Sequence, residues 1–509
     1  SDTQPKVPSY FAKQLLQLNK NVILTKLEQI AFTSLVDYLL EQMQLGHSCI
    51  TVAGFLNSLP GKSYCCNSIM DIVNKSNLCG FYQLPDKTIK PYPLTALINQ
   101  SVKNQKVTDD TLIYLTRYLH YELSIANKLL LLNNQCYQSN EGILRQYSII
   151  AELSKNGFPN NEQLDAIRNS ALNQLSFVTG GPGTGKTTTI IMLLLLLIRV
   201  YNKQSSELKI EIVAPTGKAA IRVKESIESN LSRLIKQFNV DNAEVEILNQ
   251  LSYSTIHKLL GFKHGSIYCK HNETNPLITD ILIIDEASMI SLPLMYKLLL
   301  AVNHMQIKYI IFLGDKNQLS SVEEGYVFAT LTSDMQNLKS NARRFTISRL
   351  DKSNRNLGNI AVFADAILNN DFKQIDMLVS NKQFVLFAVN QLKQLIHDII
   401  SVNSPLDKYL SLLANFIFNP VLVSPNKLFE SFNDFVILCA TNTGLLGVDN
   451  INLRVETYVK QKLAINSIWY TGRPILILEN NATLGLFNGD VGICVMIKNK
   501  PMVVFSNAK

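Results

Sequence analysis

One tryptophan, Trp469, is all that the 509 residues carry, and none of the eight cysteines stands in a C-x-x-C pair. Cys49, Cys65, Cys66, Cys79, Cys136, Cys269, Cys439 and Cys494 are scattered along the chain. That pattern excludes a zinc ribbon or a dithiol redox motif and fits reduced thiols in a cytosolic protein. No long basic run occurs, so the net charge of +8 is compatible with a polyanionic partner without assigning one. The most apolar run, residues 190–198, ends at Arg199, short of the roughly 20 residues that span a bilayer. The N-terminal residues show no basic start followed by an apolar stretch and a cleavage site. The expectation is a soluble, cytoplasmic protein with no membrane partner.

What is present is apolar material for several cores: 47% of residues are hydrophobic. A chain of this length divides into about three or four units. Up to residue 147, apolar side chains recur at three- and four-residue spacing, which predicts a mainly helical interaction domain. Pro85, Pro91 and Pro93 interrupt it where short strands fit. From residue 148 strands alternate with helices, the pattern of a parallel sheet covered on both faces. The predicted class is therefore α/β, with a first unit over 148–345 and a second over 346–509.

The segment Gly180-Gly181-Pro182-Gly183-Thr184-Gly185-Lys186-Thr187, followed by Thr188, has the G-x-x-x-x-G-K-[ST] spacing between an apolar strand and a helix. Glycines let the chain wrap a phosphate so that N–H groups and the positive helix end face the anion. Lys186 supplies a cation for the outer phosphates, and Thr187 a hydroxyl for Mg²⁺. About twenty residues earlier stands Gln163, whose amide carries both the donor and the acceptor an adenine edge needs.

Three more strands end in polar loops. Residues 210–214 run into Pro215-Thr216-Gly217-Lys218, groups suited to a nucleic-acid backbone, and Thr255 and His257 follow in a weaker motif. The apolar run 281–284 ends in Asp285 and Glu286: the first suits a metal's water shell, the second a water nucleophile. Residues 309–314 end in Asp315-Lys316-Asn317-Gln318, where Gln318 can sense a γ-phosphate. Arg355 is a candidate cation for the transferring phosphoryl group. Residues 434–441 and two segments after 469 read as further strands.

In this order the segments resemble superfamily 1 DNA helicases, and in wording the RecD family, the α subunits of exonuclease V. GGPGTGKTTT, APTGKAA, STIHKLLG, IIDEASMI, FLGDKNQLSSVE and WYTGRPILILENNATLGLFNGDVGI carry the resemblance over residues 163–494. It implies two RecA-like motor domains, the second incomplete, with the start of an SH3-like barrel from about residue 470. It implies an ATP- and Mg²⁺-dependent helicase moving 5′ to 3′ on single-stranded DNA from duplex ends, in double-strand break repair and recombination. The implied partners are RecB-like and RecC-like β and γ subunits, the N-terminal domain docking on the latter. Carried over by position, Lys186, Glu286, Gln318 and Arg355 are catalytic. Gln163 and residues 181–188 bind the nucleotide, Thr187 and Asp285 the metal. Residues 215–218, Thr255, His257, Phe487 and Asn488 fall to DNA.

Asn354 stands where the family commonly has tyrosine, and family members continue past the LFNGD block through TVHKSQG- and TRA-type segments that do not occur here. Two other readings therefore stay open: a shortened homologue that binds ATP and partners without unwinding, and a stand-alone superfamily 1 helicase.

Overall fold

In the computed structural model the described residues are 10–18, 24–59, 64–83, 89–90, 92–98, 108–134, 140–154, 158–201, 208–263, 265–266, 268–318, 325–333, 345–351, 358–381, 383–384, 405–418, 425–478, 484, 486, 489–497 and 500–505. The chain divides into two compact units, Ser1–Arg355 and Asn356–Lys509.

The first unit begins with helices α1 (Tyr10–Leu18) and α2 (Lys26–Gln44). Thr25 and Glu28 close a capping box at the start of α2, which pairs two N–H groups that a helix end otherwise leaves open. The segment expected to be mainly helical also holds a four-stranded sheet, β1 (Cys49–Thr51), β2 (Cys79–Gln83), β3 (Leu94–Ile98) and β4 (Leu112–Leu115), in the order β1-β4-β3-β2. These strands are three to five residues long, too short for alternation to stand out from helical spacing. Helices α3 (Val52–Ser58), α4 (Cys66–Lys75) and α5 (Thr116–Leu132) complete the module.

Helices α6 (Glu141–Leu153) and α7 (Asn161–Leu172) lead into a six-stranded sheet. Its strands are β5 (Leu175–Gly180), β6 (Ile210–Ala214), β7 (Ser252–Thr255), β8 (Ile281–Ile284), β9 (Tyr309–Gly314) and β10 (Thr346–Leu350). Every pairing is parallel, in the order β10-β5-β9-β8-β6-β7. Strands β5, β8 and β9 are buried at every residue, as covering helices on both faces require. Behind the phosphate loop, α8 (Lys186–Tyr201) is buried at every position from Thr189 to Ile198, so the apolar run is a core helix. The remaining helices are α9 (Gly217–Phe238), α10 (Asn242–Asn249), α11 (Ile256–Leu260), α12 (Leu292–Ala301) and α13 (Val327–Thr332).

The N-terminal module and this sheet share one hydrophobic core, which runs from Phe32 and Leu35 through Leu119 to Leu298 and Phe312. Ring and hydrogen-bond contacts join them at two places among the described residues. At one, Tyr121 of α5 lies 4.5 Å from Tyr296 of α12 between ring centroids, and His120 Nε2 is 3.2 Å from the Tyr296 hydroxyl. At the other, Tyr326 donates to the Leu45 carbonyl (2.6 Å) and Gly325 N–H to the Gly46 carbonyl (3.0 Å). Gly46 has φ +94°, and a Cβ there would lie 2.5 Å from the Tyr326 ring, so only glycine fits this approach.

The second unit has helices at Asn359–Leu368, Phe372–Ser380, Pro405–Phe418, Pro425–Asn433 and Val448–Lys462. Three antiparallel strands, β11 (Pro474–Leu476), β12 (Val491–Ile497) and β13 (Lys500–Phe505), form a small sheet where the barrel was expected to start. Residues 434–441, expected as a strand, pair with none of the described strands, and Val436 and Leu438 are exposed. An apolar run reads as a strand, but it becomes one only where a neighbouring ladder takes up its backbone groups.

Candidate nucleotide site and nucleic-acid edge

Because all six strands run the same way, their carboxyl ends deliver their loops to one edge. Register fixes which loops meet: Thr179 pairs with Gly314, Ile284 with Phe312, Val213 with Ile284, and Ala214 with Thr255. The structure thus brings together the phosphate loop, the Asp285-Glu286 exit, the Asp315–Gln318 exit and the two edge loops at Thr216 and Thr255.

Gly183 and Gly185 have φ of +80° and +89°, and these two positions need glycine for the loop to close. Gly181, by contrast, has nothing within 4 Å of where a Cβ would stand. Thr184 donates its hydroxyl to the Gly181 carbonyl (2.9 Å), which ties the loop across itself. Lys186 Nζ bonds the Gly180 carbonyl (2.6 Å) and the Gly181 carbonyl (3.3 Å), so the ammonium lies along the loop. Thr187 and Thr188 are half-buried in the first turn of α8.

Gln163 differs from expectation. It is 1% exposed; its Oε1 accepts from Asn160 N–H (3.0 Å) and its Nε2 donates to the Thr184 carbonyl (3.0 Å). Its amide caps α7 and braces the phosphate loop.

Asp285 N–H is held by the Val213 carbonyl at 2.8 Å. Burial, and then the neighbouring Glu286 charge, push its carboxyl up to about 6, with Lys186 acting the other way. Glu286 has φ +50°, a left-handed conformation rarely adopted by a side chain of this size. Its Oε2 is buried without a hydrogen-bond partner among the described residues. Glu286 thus places an unused acceptor directly after β8, at the exit of a buried strand.

At the third exit Gln318 is half-buried and its N–H bonds the Asp315 carbonyl at 3.2 Å. Asp315, passed over in the sequence reading, is 4% exposed and accepts from Asn317 N–H at 3.0 Å, so it shapes the loop that carries Gln318. An acid directly after a buried strand was the signal.

The hydroxyls expected on a nucleic-acid backbone are engaged locally. Thr216 caps α9 by accepting from Ala219 N–H (3.3 Å), and Thr255 caps α11 by accepting from Lys258 N–H (3.2 Å). Lys218 and His257 are exposed beside them, His257 against the Phe262 ring at 5.0 Å, while Pro215 and Gly217 are half-buried at the β6 exit. Arg355, Phe487 and Asn488 lie outside the described residues.

The donor set fits Mg²⁺: a threonine hydroxyl and a carboxylate are hard oxygen ligands, and Asp285 is a crowded acid short of counter-charge. Thr187 and Asp285 would hold the ion, which when bound neutralises charge on the phosphates.

The family described as "AAA domain" matches residues 163–324. Over 373 residues the chain is 30% identical to the RecBCD enzyme subunit RecD of Haemophilus influenzae, covering 65% of this chain and 57% of that protein. Over 476 residues it is 29% identical to the RecBCD enzyme subunit RecD of Mycolicibacterium smegmatis, covering 90% and 78%. A further 178 residues' worth of similarity, at 32% identity, links it to the ATP-dependent RecD2 DNA helicase of Deinococcus radiodurans, of which it covers 20%. The chain thus spans little more than half the length of the Haemophilus relative. In motif order and over these stretches the chain is similar to RecD-like helicase proteins.

Proposed function

We propose that the chain is the ATP-driven motor subunit of an exonuclease V-type complex, moving 5′ to 3′ on single-stranded DNA. The observation that carries this is the unpartnered Glu286 Oε2, held by a left-handed backbone on the edge shared by the phosphate loop and Gln318. An acceptor placed there takes a proton from a water aligned on the γ-phosphate. Lys186 lies along the loop ready to move from backbone carbonyls to phosphate oxygens, and Thr187 and Asp285 hold Mg²⁺. Gln318, on a loop fixed by Asp315, senses the γ-phosphate, and Arg355 supplies a cation to the transferring group. Gln163 keeps the loop in shape.

Single-stranded DNA runs over the β6 and β7 exits, where Lys218 and His257 are exposed, with Phe487 and Asn488 as further contacts. Thr216 and Thr255 act there by fixing two helix starts. RecB-like and RecC-like subunits are the partners in end processing, repair and recombination. Tyr10, Leu27 and Ile30, 57–79% exposed on α1 and α2, support docking through the N-terminal module.

Purified protein hydrolyses ATP, faster with oligo(dT) than without, and the stimulation falls as salt rises. Nucleotide binding without hydrolysis, with or without DNA, would sink the motor reading and leave a docking subunit.

The state of Asp285 adds a pH dependence. Hydrolysis falls as pH drops through about 6, where this carboxyl takes up a proton and stops serving the metal. For stability the sign is set by the raised pKa of the folded state. The contribution is fully present below the ordinary carboxylate range and is lost as pH rises through about 6. Asp285→Asn therefore raises the melting temperature of the nucleotide-free protein at pH about 7 while removing hydrolysis. A lower melting temperature in that variant contradicts the upward shift of this carboxyl.

A further inference from the structure

We propose that Trp469 is a stacking platform for an unpaired base of single-stranded DNA, in a pocket of the second unit lined by none of the residues assigned to DNA above. The pocket has a volume of about 350 Å³ and is walled by Leu463, Ile465, Tyr470, Met496 and the Trp469 ring, with Ser467 at its polar side. That size sits at the small end of ligand sites. Trp469 is 46% exposed, whereas the adjacent Tyr470 is 6% exposed and packs in the unit's core. One ring is therefore wall and the other is free to meet a ligand.

The backbone beneath the platform is fixed. Gly472, at φ +94°, donates to the Cys494 carbonyl (2.8 Å), and its own carbonyl accepts from the Tyr409 hydroxyl (2.9 Å). Thr471 Oγ1 accepts from Met496 N–H (3.0 Å), and Arg473 N–H bonds the Tyr470 carbonyl (3.2 Å). A pre-set ring loses little freedom when a base stacks on it.

The surrounding charge selects the occupant. The Arg473 guanidinium lies 5.9 Å from both the Trp469 and Tyr470 ring centroids, and Lys460 Nζ 5.9 Å from the latter. Lys462, beside Leu463, pairs with Asp407, while Lys460 and Arg473 share Glu456. Arg473 and Lys460 beside these rings, against the one carboxylate of Glu456, set net positive charge at an aromatic face, the combination that binds single strands without sequence preference.

This rests on the DNA-motor reading, and the uniqueness of the tryptophan separates the two. Because the chain has one tryptophan, its emission reports on this pocket alone. Titration with unlabelled oligo(dT) quenches that emission, and the quenching saturates together with the anisotropy of a fluorescein-labelled strand. An abasic strand of the same length binds through charge without quenching. Trp469→Ala weakens oligo(dT) binding roughly 5- to 100-fold, as loss of one stacked base does, and Trp469→Phe recovers most of it. Far-UV circular dichroism checks that both variants fold. Binding by anisotropy with unchanged emission, or equal affinity in Trp469→Ala, overturns the platform and leaves the motor reading standing. Quenching by an apolar peptide but not by oligo(dT) overturns it in favour of a protein contact. Failure of the wild-type chain to bind any strand overturns both.

Discussion

Lys186→Ala abolishes ATP hydrolysis, by roughly 100- to 1000-fold or more, while the protein stays folded. The size follows from what the ammonium is positioned to do. It bonds the Gly180 and Gly181 carbonyls of the phosphate loop. These are neutral acceptors, and a triphosphate oxygen is a charged one, so the lysine gains a charge-assisted bond on exchanging them. That bond strengthens as charge builds on the γ-phosphate, so its loss is felt in turnover. A second effect follows at Asp285. Lys186 is the cation that pulls this carboxyl down against burial and Glu286. Removing it raises the acid further, so the residual activity of Lys186→Ala falls away at a higher pH than in the wild type. Steady-state hydrolysis from pH about 5.5 to 8, with nucleotide binding measured separately, checks both statements. Wild-type turnover in the variant would remove the site assignment altogether.

The candidate nucleotide edge was legible in the sequence for a physical reason. A buried parallel strand is a continuous apolar run, so a polar residue directly after one marks the exit, and parallel strands share their exits on one side. Residues 281–284 and 309–314 have this form, which is why the Asp285-Glu286 and Asp315–Gln318 exits share one edge with the phosphate loop. The role of Gln163 was not legible, because an amide can serve a base or a backbone equally well. Only the fold shows it bonded to Asn160 and Thr184. The short strands of the N-terminal module, and the glycine contact at Gly46 with Tyr326, depend on partners far away in sequence. Local spacing carries no trace of such partners. Residues 434–441 fail in the opposite sense. Their apolar content is that of a strand, yet strand formation is a property of the pair, and the sequence names only one member.

Glu286→Gln keeps ATP and DNA binding and loses hydrolysis by roughly 100- to 10,000-fold. The substitution is close to isosteric, so the left-handed backbone at φ +50° and the packing of Ala287 behind it are kept. What changes is one atom's chemistry. The Oε2 that lies buried without a partner becomes an amide nitrogen or keeps a weaker carbonyl acceptor, and neither can take a proton from water. Deleting the charge also acts on Asp285, whose carboxyl the Glu286 charge helps to raise. In Glu286→Gln that acid ionises at a lower pH, so Mg²⁺-dependent nucleotide binding persists further into the acid range than in the wild type. A purely structural lesion has no reason to improve metal binding at low pH. The pair of results, turnover lost and acid-range binding gained, therefore distinguishes a general base beside a metal ligand from a mere packing residue. If hydrolysis persists in the variant, another group takes the proton, and the strained position of Glu286 serves the shape of the edge alone.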